Sequence, residues 1–372
     1  MRLALREMRR RLGRFVVAVG MLTLLGVLLL LLGGLLDGLL TGSTGAVRAQ
    51  RGELLVFSAN SRNSFVRSQV SAGTRATVDG VSGVRSTSGL GVTLVGARVG
   101  GRTDFENAAV WGYEGGVRGV PAPPPDGQAW VDRRLEAAGA RVGGTLRLGP
   151  SGVPVRIRGF VRDTSYLLQA GVWVSPAQWR RVTAEVRPDR ILPPGTFQVL
   201  SVAVARGADP GRVASAIDRA TRSGGEATTS TLTRQAAIDA IPGVKSQQGT
   251  FSFIINTSLL VAAVVVALFF ALLTLERAAL YGVLKAIGAS SGQIVRGLFS
   301  QAVVVALIAL LLAEVIALGL GAVIPREVPL LLLPSRASST AISVLVAALL
   351  GSAISVRRII RIDPATAIGG GA

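Results

Sequence analysis

Four long apolar runs constrain this chain more strongly than any other feature. They cover residues 15–40, 251–275, 295–324 and 338–356. A run of about 20 apolar residues is long enough to cross a bilayer as a helix. The first run follows a basic segment, as the apolar part of a signal peptide does, but it is too long for one. The predicted fold class is therefore a membrane α-helical protein with four transmembrane helices.

A polar, glycine-rich segment, residues 41–250, separates the first two runs. Alternating apolar and polar residues predict strands in it, and an Asp-Pro pair predicts a helix start. The segment is predicted to be an extracytoplasmic α/β domain inserted between helices 1 and 2. Its last part, residues 233–250, is either a stalk that transmits motion or a plain linker. The predicted strands cover residues 53–58, 91–99, 145–148, 153–161, 199–205 and 227–232, and the predicted helix covers residues 210–222.

Basic residues predict the orientation, because Lys and Arg beside membrane spans are retained on the cytoplasmic side. Residues 1–14 are predicted to be a cytoplasmic amphipathic helix, and residues 357–372 a cytoplasmic tail. Residues 276–294, between the second and third runs, also carry basic side chains. Both termini of this multi-pass protein are therefore expected on the cytoplasmic side, and residues 325–337 are expected to form an outer loop.

The composition excludes several kinds of chemistry. Cysteine and histidine are absent, which removes thiolate metal sites, disulfides and histidine-based nucleophilic sets. The two lysines, Lys245 and Lys285, follow Val244 and Leu284, so the Gly-Lys pair of a phosphate-binding loop is missing. We expect no catalytic residue, metal or cofactor in this chain, and any ATP and magnesium must be bound by a partner. The net charge is +19, but the arginines are scattered, which argues against nucleic-acid binding.

Residues 276–294 are too polar to stay in hydrocarbon and too short to form a domain. Apolar side chains recur in them at helical spacing, opposite basic and hydroxyl side chains. Such a segment is either a surface helix that a soluble partner grips or a connecting loop that rests at the membrane interface.

Two polar residues interrupt the third run, Gln301 and Glu314. An ionisable group in a span costs about 2.5–3.5 kcal/mol, so Glu314 is expected to face protein or water. One interpretation is that Glu314 contributes to a helix–helix contact or to coupling with the outer domain. The other is that it lies near the outer leaflet, either protonated or snorkelling to water. Small residues in the last two runs either let helices pack closely or are merely tolerated by lipid. They are Gly297, Gly319, Gly321 and Gly351.

A competing hypothesis from a different functional class is an enzyme anchored in the membrane with its active site outside. Asp104, Glu106 and Glu114 could supply a carboxylate cluster. No paired base, nucleophile or metal-ligand set accompanies them, so a solvated loop is the interpretation that the sequence favours.

Two motifs near the C-terminus resemble those of the MacB/FtsX-type (type VII) ABC transporter permeases. Arg277 with residues 281–290, Y-G-V-L-K-A-I-G-A-S, is similar to one motif, and residues 357–368, R-R-I-I-R-I-D-P-A-T-A-I, to the other. Tyr281 and Thr366 depart from the residues common in the family. The layout of one span, a large outer domain and three further spans also matches, and it is closest to DevC-like permeases.

The resemblance implies a non-catalytic permease subunit in a bacterial cell (inner or plasma) membrane. A cytoplasmic ABC ATPase, a second permease copy in a homodimer, membrane lipid and an extracytoplasmic adaptor would be its partners. ATP-driven motion would pass along the spans to the outer domain, for export or extraction of a substrate. The alternative is a division-type regulatory protein that activates a cell-wall hydrolase. Residues 276–294 would be the coupling helix, and its docking residues would be Arg277, Leu280, Tyr281, Val283, Leu284, Lys285, Ile287 and Gly288.

Overall fold

The computed structural model describes residues 12–101, 104–189, 192–276, 278–325 and 328–360. The chain divides into two compact units. The first, called here the membrane unit, runs up to Gly38 and resumes at Gln247. The second, called here the sheet domain, is Leu39–Ser246.

The helices and strands are numbered separately along the chain. The helices are α1 (Leu12–Arg48), α2 (Ala72–Asp79), α3 (Arg134–Ala137), α4 (Pro176–Val186), α5 (Pro210–Ala220), α6 (Arg234–Asp239), α7 (Val244–Glu276), α8 (Ala278–Ala286), α9 (Ser291–Val323) and α10 (Pro334–Ile360). The strands are β1 (Leu54–Ser58), β2 (Val84–Val99), β3 (Glu106–Tyr113), β4 (Gln128–Asp132), β5 (Thr145–Leu148), β6 (Val153–Val161), β7 (Ala170–Val174), β8 (Val199–Val204), β9 (Arg222–Ser223), β10 (Glu226–Ala227) and β11 (Thr229–Thr233).

Helices α1, α7, α9 and α10 are each long and apolar enough to cross a membrane. The mixed α/β sheet domain is inserted between α1 and α7. This confirms the predicted fold class of four transmembrane helices with an α/β domain between the first two.

The helix bounds differ from the predicted ones where polar residues continue a helix. Helix α1 continues past residue 40 to Arg48, α7 begins within the predicted stalk, and α10 begins within the predicted outer loop. Apolar content locates the part of a helix that lies in lipid, whereas packing and caps decide where it ends. Residues 1–11 of the predicted N-terminal helix and residues 361–372 of the predicted tail lie outside the described residues.

Small side chains allow the helices of the membrane unit to pack closely. Alanines at three- and four-residue spacing form a buried stripe on α9: Ala302, Ala306, Ala309, Ala313 and Ala317. A Cβ atom on Gly26 of α1 would lie 2.8 Å from the Cβ atom of Ala313. Because no hydrophobic force draws helices together in lipid, such close approach supplies the packing energy.

The long strand β2 organises the sheet domain. It pairs with β8 through its first half and with β3 through its second, and its last three residues pair with β5. The sheet order is β11-β1-β8-β2-β3-β7-β4-β6-β5. Because β5 pairs back with β2, strands β2, β3, β7, β4, β6 and β5 form a closed ring, and β8, β1 and β11 extend from it.

Glycines on neighbouring strands make room for a buried tryptophan. Gly91 of β2 and Gly112 of β3 are cross-strand partners, and a Cβ atom on either would overlap the side chain of Trp179. Trp179, on α4, is fully buried, stacks on the ring of Phe197 and donates its indole N–H to Thr93 Oγ1 at 3.0 Å. This contact fixes α4 against the sheet.

The end of α1 is built into the sheet domain through the loop of residues 163–168. Leu167 N–H and Leu168 N–H donate to the carbonyls of Ser43 and Gly42, and Ala46 N–H donates to Ser165 O. On the other side of the loop, the buried carboxylate of Asp132 accepts from Thr164 N–H, Thr164 Oγ1 and Ser165 Oγ. The last turns of α1 are thus hydrogen-bonded to the domain as well as to themselves.

The predicted strands at 145–148 and 153–161 match β5 and β6, and the other predicted strands lie within one to seven residues of the observed bounds. Strands β3, β4 and β7 were missed. Every residue of β7 is buried, as are the last six of β3, so the alternation that predicts a half-buried strand is absent from them.

Candidate functional site

The candidate site is the segment between the two long helices α7 and α9. Its short helix α8 ends in a turn that requires glycine. Gly288 has φ +98° and donates its N–H to Lys285 O, while Ala289 N–H donates to Leu284 O. These two bonds form the Schellman arrangement, which places a left-handed residue directly after a helix. Gly288 is therefore explained by backbone conformation.

The next helix, α9, is preceded by Ser290, which forms a capping box with Gln293. The Ser290 side chain accepts from Gln293 N–H at 3.3 Å, and the Gln293 side chain accepts from Ser290 N–H at 3.1 Å. Each bond satisfies a backbone donor that the start of a helix leaves free. The turn between α8 and α9 is consequently fixed at both ends, so the orientation of α8 is set by local bonds.

Helix α8 leaves apolar side chains uncovered. Leu280, Val283 and Ile287 are 49%, 47% and 76% exposed, and their spacing places them on one face of the helix. Gly282 is buried, and Lys285 lies in the last turn. Exposed apolar groups at this spacing form a surface that another molecule or lipid can cover.

The docking residues predicted from sequence fall into three groups. Leu280, Val283 and Ile287 share the exposed face, Leu284 and Lys285 are half-buried, and Gly288 shapes the turn. Arg277 and the side chain of Tyr281 lie outside the described residues. The predicted single helix over residues 276–294 is instead α8 followed by the first turn of α9, because the turn at Gly288 separates them.

The opposite end of α9 lies near a second group of polar residues. Glu314 and Arg336 both line a cavity of about 140 Å³, whose other walls are apolar and include Leu30 and Leu318. Arg336 donates from Nε to Asp37 Oδ2 at 2.8 Å and from Nη2 to Asp37 Oδ1 at 2.5 Å. This two-point geometry is the strongest arrangement of Arg with a carboxylate.

A leucine-rich strap, residues 328–333, crosses α1 beside this ion pair. Leu331 N–H donates to Gly34 O at 2.9 Å. Any side chain on Gly38 would overlap the carbonyl of Pro329, and a Cβ atom on Gly33 would lie 2.6 Å from Arg336 Cδ. Gly33 therefore makes room for the stem of Arg336, and Gly34 and Gly38 make room for the strap.

The other predicted packing residues behave differently from one another. Gly351 meets the backbone of α7 at Ala263, and Gly321 contacts Leu332 of the strap. Gly297 and Gly319 have open space around them. Gln301 is 5% exposed and lies within the packed core of the membrane unit. Sequence reasoning missed Gly26 and Gly38, although Gly38 follows Gly34 at the Gly-x-x-x-Gly spacing that marks close packing in membrane helices.

Glu114 lies far from the other carboxylates that supported an enzyme hypothesis. Glu106 begins β3 and Glu114 follows its end, a separation of eight residues or about 26 Å along an extended strand. Glu114 pairs with Arg75 at 2.9 Å and accepts from Gly89 N–H at 2.8 Å. Across the described residues, no group of three His, Cys, Asp or Glu side chains is arranged to hold a metal ion.

Comparison with known proteins gives a match to one family and to several individual permeases. Residues 252–364 match the family described as FtsX-like permease C-terminal. A putative hemin transport system permease protein HrtB from Staphylococcus epidermidis is 27% identical over 141 residues, 38% of this chain and 40% of that protein. An uncharacterized ABC transporter permease, Rv2563 from Mycobacterium tuberculosis, is 39% identical over 111 residues, 30% of this chain and 31% of that protein. The chain thus spans less than half the length of these relatives.

Two solved structures are similar to the chain at low identity. The periplasmic region of MacB from Actinobacillus actinomycetemcomitans is 13% identical, with a TM-score of 0.38, and covers 53% of this chain and 96% of its own. The extracellular domain of YknZ from Gram-positive bacteria is 12% identical, with a TM-score of 0.35, and covers 48% of this chain and 99% of its own.

Proposed function

We propose that the chain is the non-catalytic, membrane-spanning subunit of a bacterial ABC transporter, because residues 252–364 match the FtsX-like permease C-terminal family. An ABC permease works with an ATP-binding subunit, and we assign ATP and magnesium to that separate partner. The single observation that carries the proposal is the uncovered apolar face of α8, held in place by the turn at Gly288.

We assign α8 as the helix that docks on the ATPase. A short amphipathic helix fixed between two spans moves with them, so a partner that grips it can pull on the membrane unit. The local bonds at Gly288 and at Ser290 favour this role, because a pre-organised surface loses little conformational entropy on binding. Helices α1 and α7 would pass the motion to the sheet domain, for export or extraction of a substrate or for activation of a cell-wall hydrolase.

This assignment requires α8 to face the cytoplasm and the sheet domain to face outside. The natural absence of cysteine makes the orientation directly testable with single-cysteine variants. We expect a membrane-impermeant thiol reagent to label Ser151→Cys, in an exposed turn of the sheet domain, on intact cells. Gly292→Cys, at the exposed start of α9, should react after the cells are permeabilised. Labelling of both positions from outside would exclude α8 as the docking helix.

The docking surface itself is tested by placing a charge on its most exposed apolar residue. Ile287 is 76% exposed, so Ile287→Asp should leave the fold intact while burying an unpaired carboxylate in any interface. We expect co-purification of the ATPase to weaken by about tenfold or more, the effect of losing about 1.4 kcal/mol.

Val142→Asp is the matched control, because it also replaces an exposed β-branched apolar residue by aspartate. Val142 lies in the sheet domain and is 63% exposed. This variant should leave the association at its wild-type level. If Ile287→Asp also binds the ATPase as the wild type does, the docking surface lies elsewhere and the assigned role of α8 is wrong.

A further inference from the structure

An open groove in the sheet domain concentrates positive charge. It has a volume of about 710 Å³ and lies where the end of α1 meets two loops. Three arginines line it: Arg48 from the last turn of α1, Arg118 from the loop after β3 and Arg162 from the loop after β6. Phe160 and Val161 supply an apolar wall.

The three guanidinium groups have no carboxylate partner among the described residues. All three side chains are exposed, and Asp163 is the one acidic residue in the groove lining. Other arginines of the same domain behave differently, since Arg75 pairs with Glu114 at 2.9 Å and Arg133 with Glu136 at 2.8 Å. The groove therefore carries an excess of positive charge that the chain itself does not neutralise.

Backbone contacts hold the groove walls in position. Arg118 donates its backbone N–H to Ala49 O at 2.7 Å and one guanidinium N–H to Arg48 O at 3.0 Å. A guanidinium has five donors, so most of those on Arg118 remain available. The opposite wall is brought close by Gly45, where a Cβ atom would lie 2.6 Å from Asp163 O.

We propose that this groove binds a phosphate-type oxyanion, carried either by the headgroup of an anionic lipid or by a free small molecule. The planar fork of arginine matches phosphate oxygens at two points, and three such groups from separate segments surround one space. The volume lies within the range of small-molecule sites, and the apolar wall accommodates the uncharged part of a ligand. This inference does not depend on the ATPase or on the docking role of α8.

The test uses the full chain and distinguishes the two sources. In one arm, native mass spectrometry of the detergent-solubilised protein measures retention of phosphatidylglycerol against phosphatidylcholine. In the other arm, calorimetry measures binding of glycerol 3-phosphate to the protein in phosphatidylcholine nanodiscs. Retention of phosphatidylglycerol alone identifies a lipid headgroup, and binding of glycerol 3-phosphate identifies a free ligand.

Arg162→Gln removes one charge from the groove without removing any of the hydrogen bonds that hold its walls, and it should lower the affinity for the bound probe about tenfold. Arg206→Gln is the matched control, because Arg206 is an exposed loop arginine of the same domain outside the groove. A thermal unfolding curve that matches the wild type, followed by tryptophan fluorescence, verifies that Arg162→Gln folds. Binding of neither phosphate probe, or equal weakening by Arg206→Gln, would overturn the proposal.

Discussion

Single ionisable residues in the apolar helices are placed by partners that lie far away in sequence. Asp37 is held by Arg336 across 299 residues, and Glu314 lines the cavity that Arg336 also lines. An isolated charge in a span costs about 2.5–3.5 kcal/mol, so pairing offsets an expense that either side chain alone would carry. The sequence predicts that Glu314 faces protein or water, but nothing in its local pattern identifies Arg336 as a neighbour.

Two buried tyrosines predict how the stability of the sheet domain depends on pH. Burial raises the pKa of Tyr113 and of Tyr166, which are fully and almost fully buried. The unfolded tyrosines lose their protons near pH 10, whereas the folded ones keep them to higher pH. The unfolded state then binds fewer protons, so the free energy of unfolding is unaffected by these groups below pH 10 and falls as the pH rises above it.

The expected fall is up to about 1.4 kcal/mol per pH unit for each such tyrosine. All four tryptophans lie in the sheet domain, so their fluorescence during thermal unfolding measures this domain in the full chain. The slope should be smaller in Tyr166→Phe than in the wild type. Stability that stays level to pH 11.5 would contradict the expectation.

At the scale of one element, the short helix α8 shows what periodicity predicts correctly and where it fails. Periodicity correctly identifies the apolar positions Leu280, Val283 and Ile287 as one face, but it extends the helix through residue 294. The break at Gly288 has a signal in sequence, a glycine followed closely by Ser290 and Gln293. Periodicity alone does not find such a break. It is found when a glycine inside the pattern is considered as the left-handed residue that ends a helix.

Replacement of Gly288 should therefore loosen the turn and with it α8. An L side chain at φ +98° is strained, at a cost of about 1–2 kcal/mol, so Gly288→Ala should raise amide hydrogen exchange in residues 278–294 about tenfold. Gly297→Ala is the control, because Gly297 is helical and has open space around it. That variant should exchange as slowly as the wild type or more slowly. Equal exchange in both variants would show that the turn does not hold α8.

The sheet domain illustrates a different limit of sequence reasoning. Strands with a buried and an exposed face, such as β5 and β6, follow directly from alternation. Strands β3 and β7, buried along most of their length, do not show it. The closure of the ring depends on the pairing of β2 with β5, which joins residues about fifty positions apart and leaves no local pattern.

At the scale of the whole molecule, α1 is the element that belongs to both units. Its 37 residues include the first span and the turns that the loop of residues 163–168 grips. Sequence composition locates the apolar part of α1, but its continuation to Arg48 depends on hydrogen bonds made within the sheet domain. A motion of the first span would reach the sheet through these bonds.

Gly45→Ala tests whether motion passes through this contact. The added Cβ atom would lie 2.6 Å from Asp163 O and so would push the loop away from α1. With a fluorophore on Ser151→Cys, we expect the ATP-dependent signal of the reconstituted complex to fall severalfold, while the ATPase still binds. Gly20→Ala makes the same change on the same helix at a position with open space, and it should keep the signal. If both variants keep the signal, motion reaches the sheet domain by another path.

The ion pair between Asp37 and Arg336 has a consequence for biogenesis. The carboxylate leaves the ribosome 299 residues before its guanidinium partner, a delay of about 15–60 s at ordinary rates of synthesis. During that interval the acid of the first helix has no partner, so the insertion machinery must hold this helix until the last helix arrives. Truncated chains that end before α10 should accordingly be recognised as unfinished and degraded.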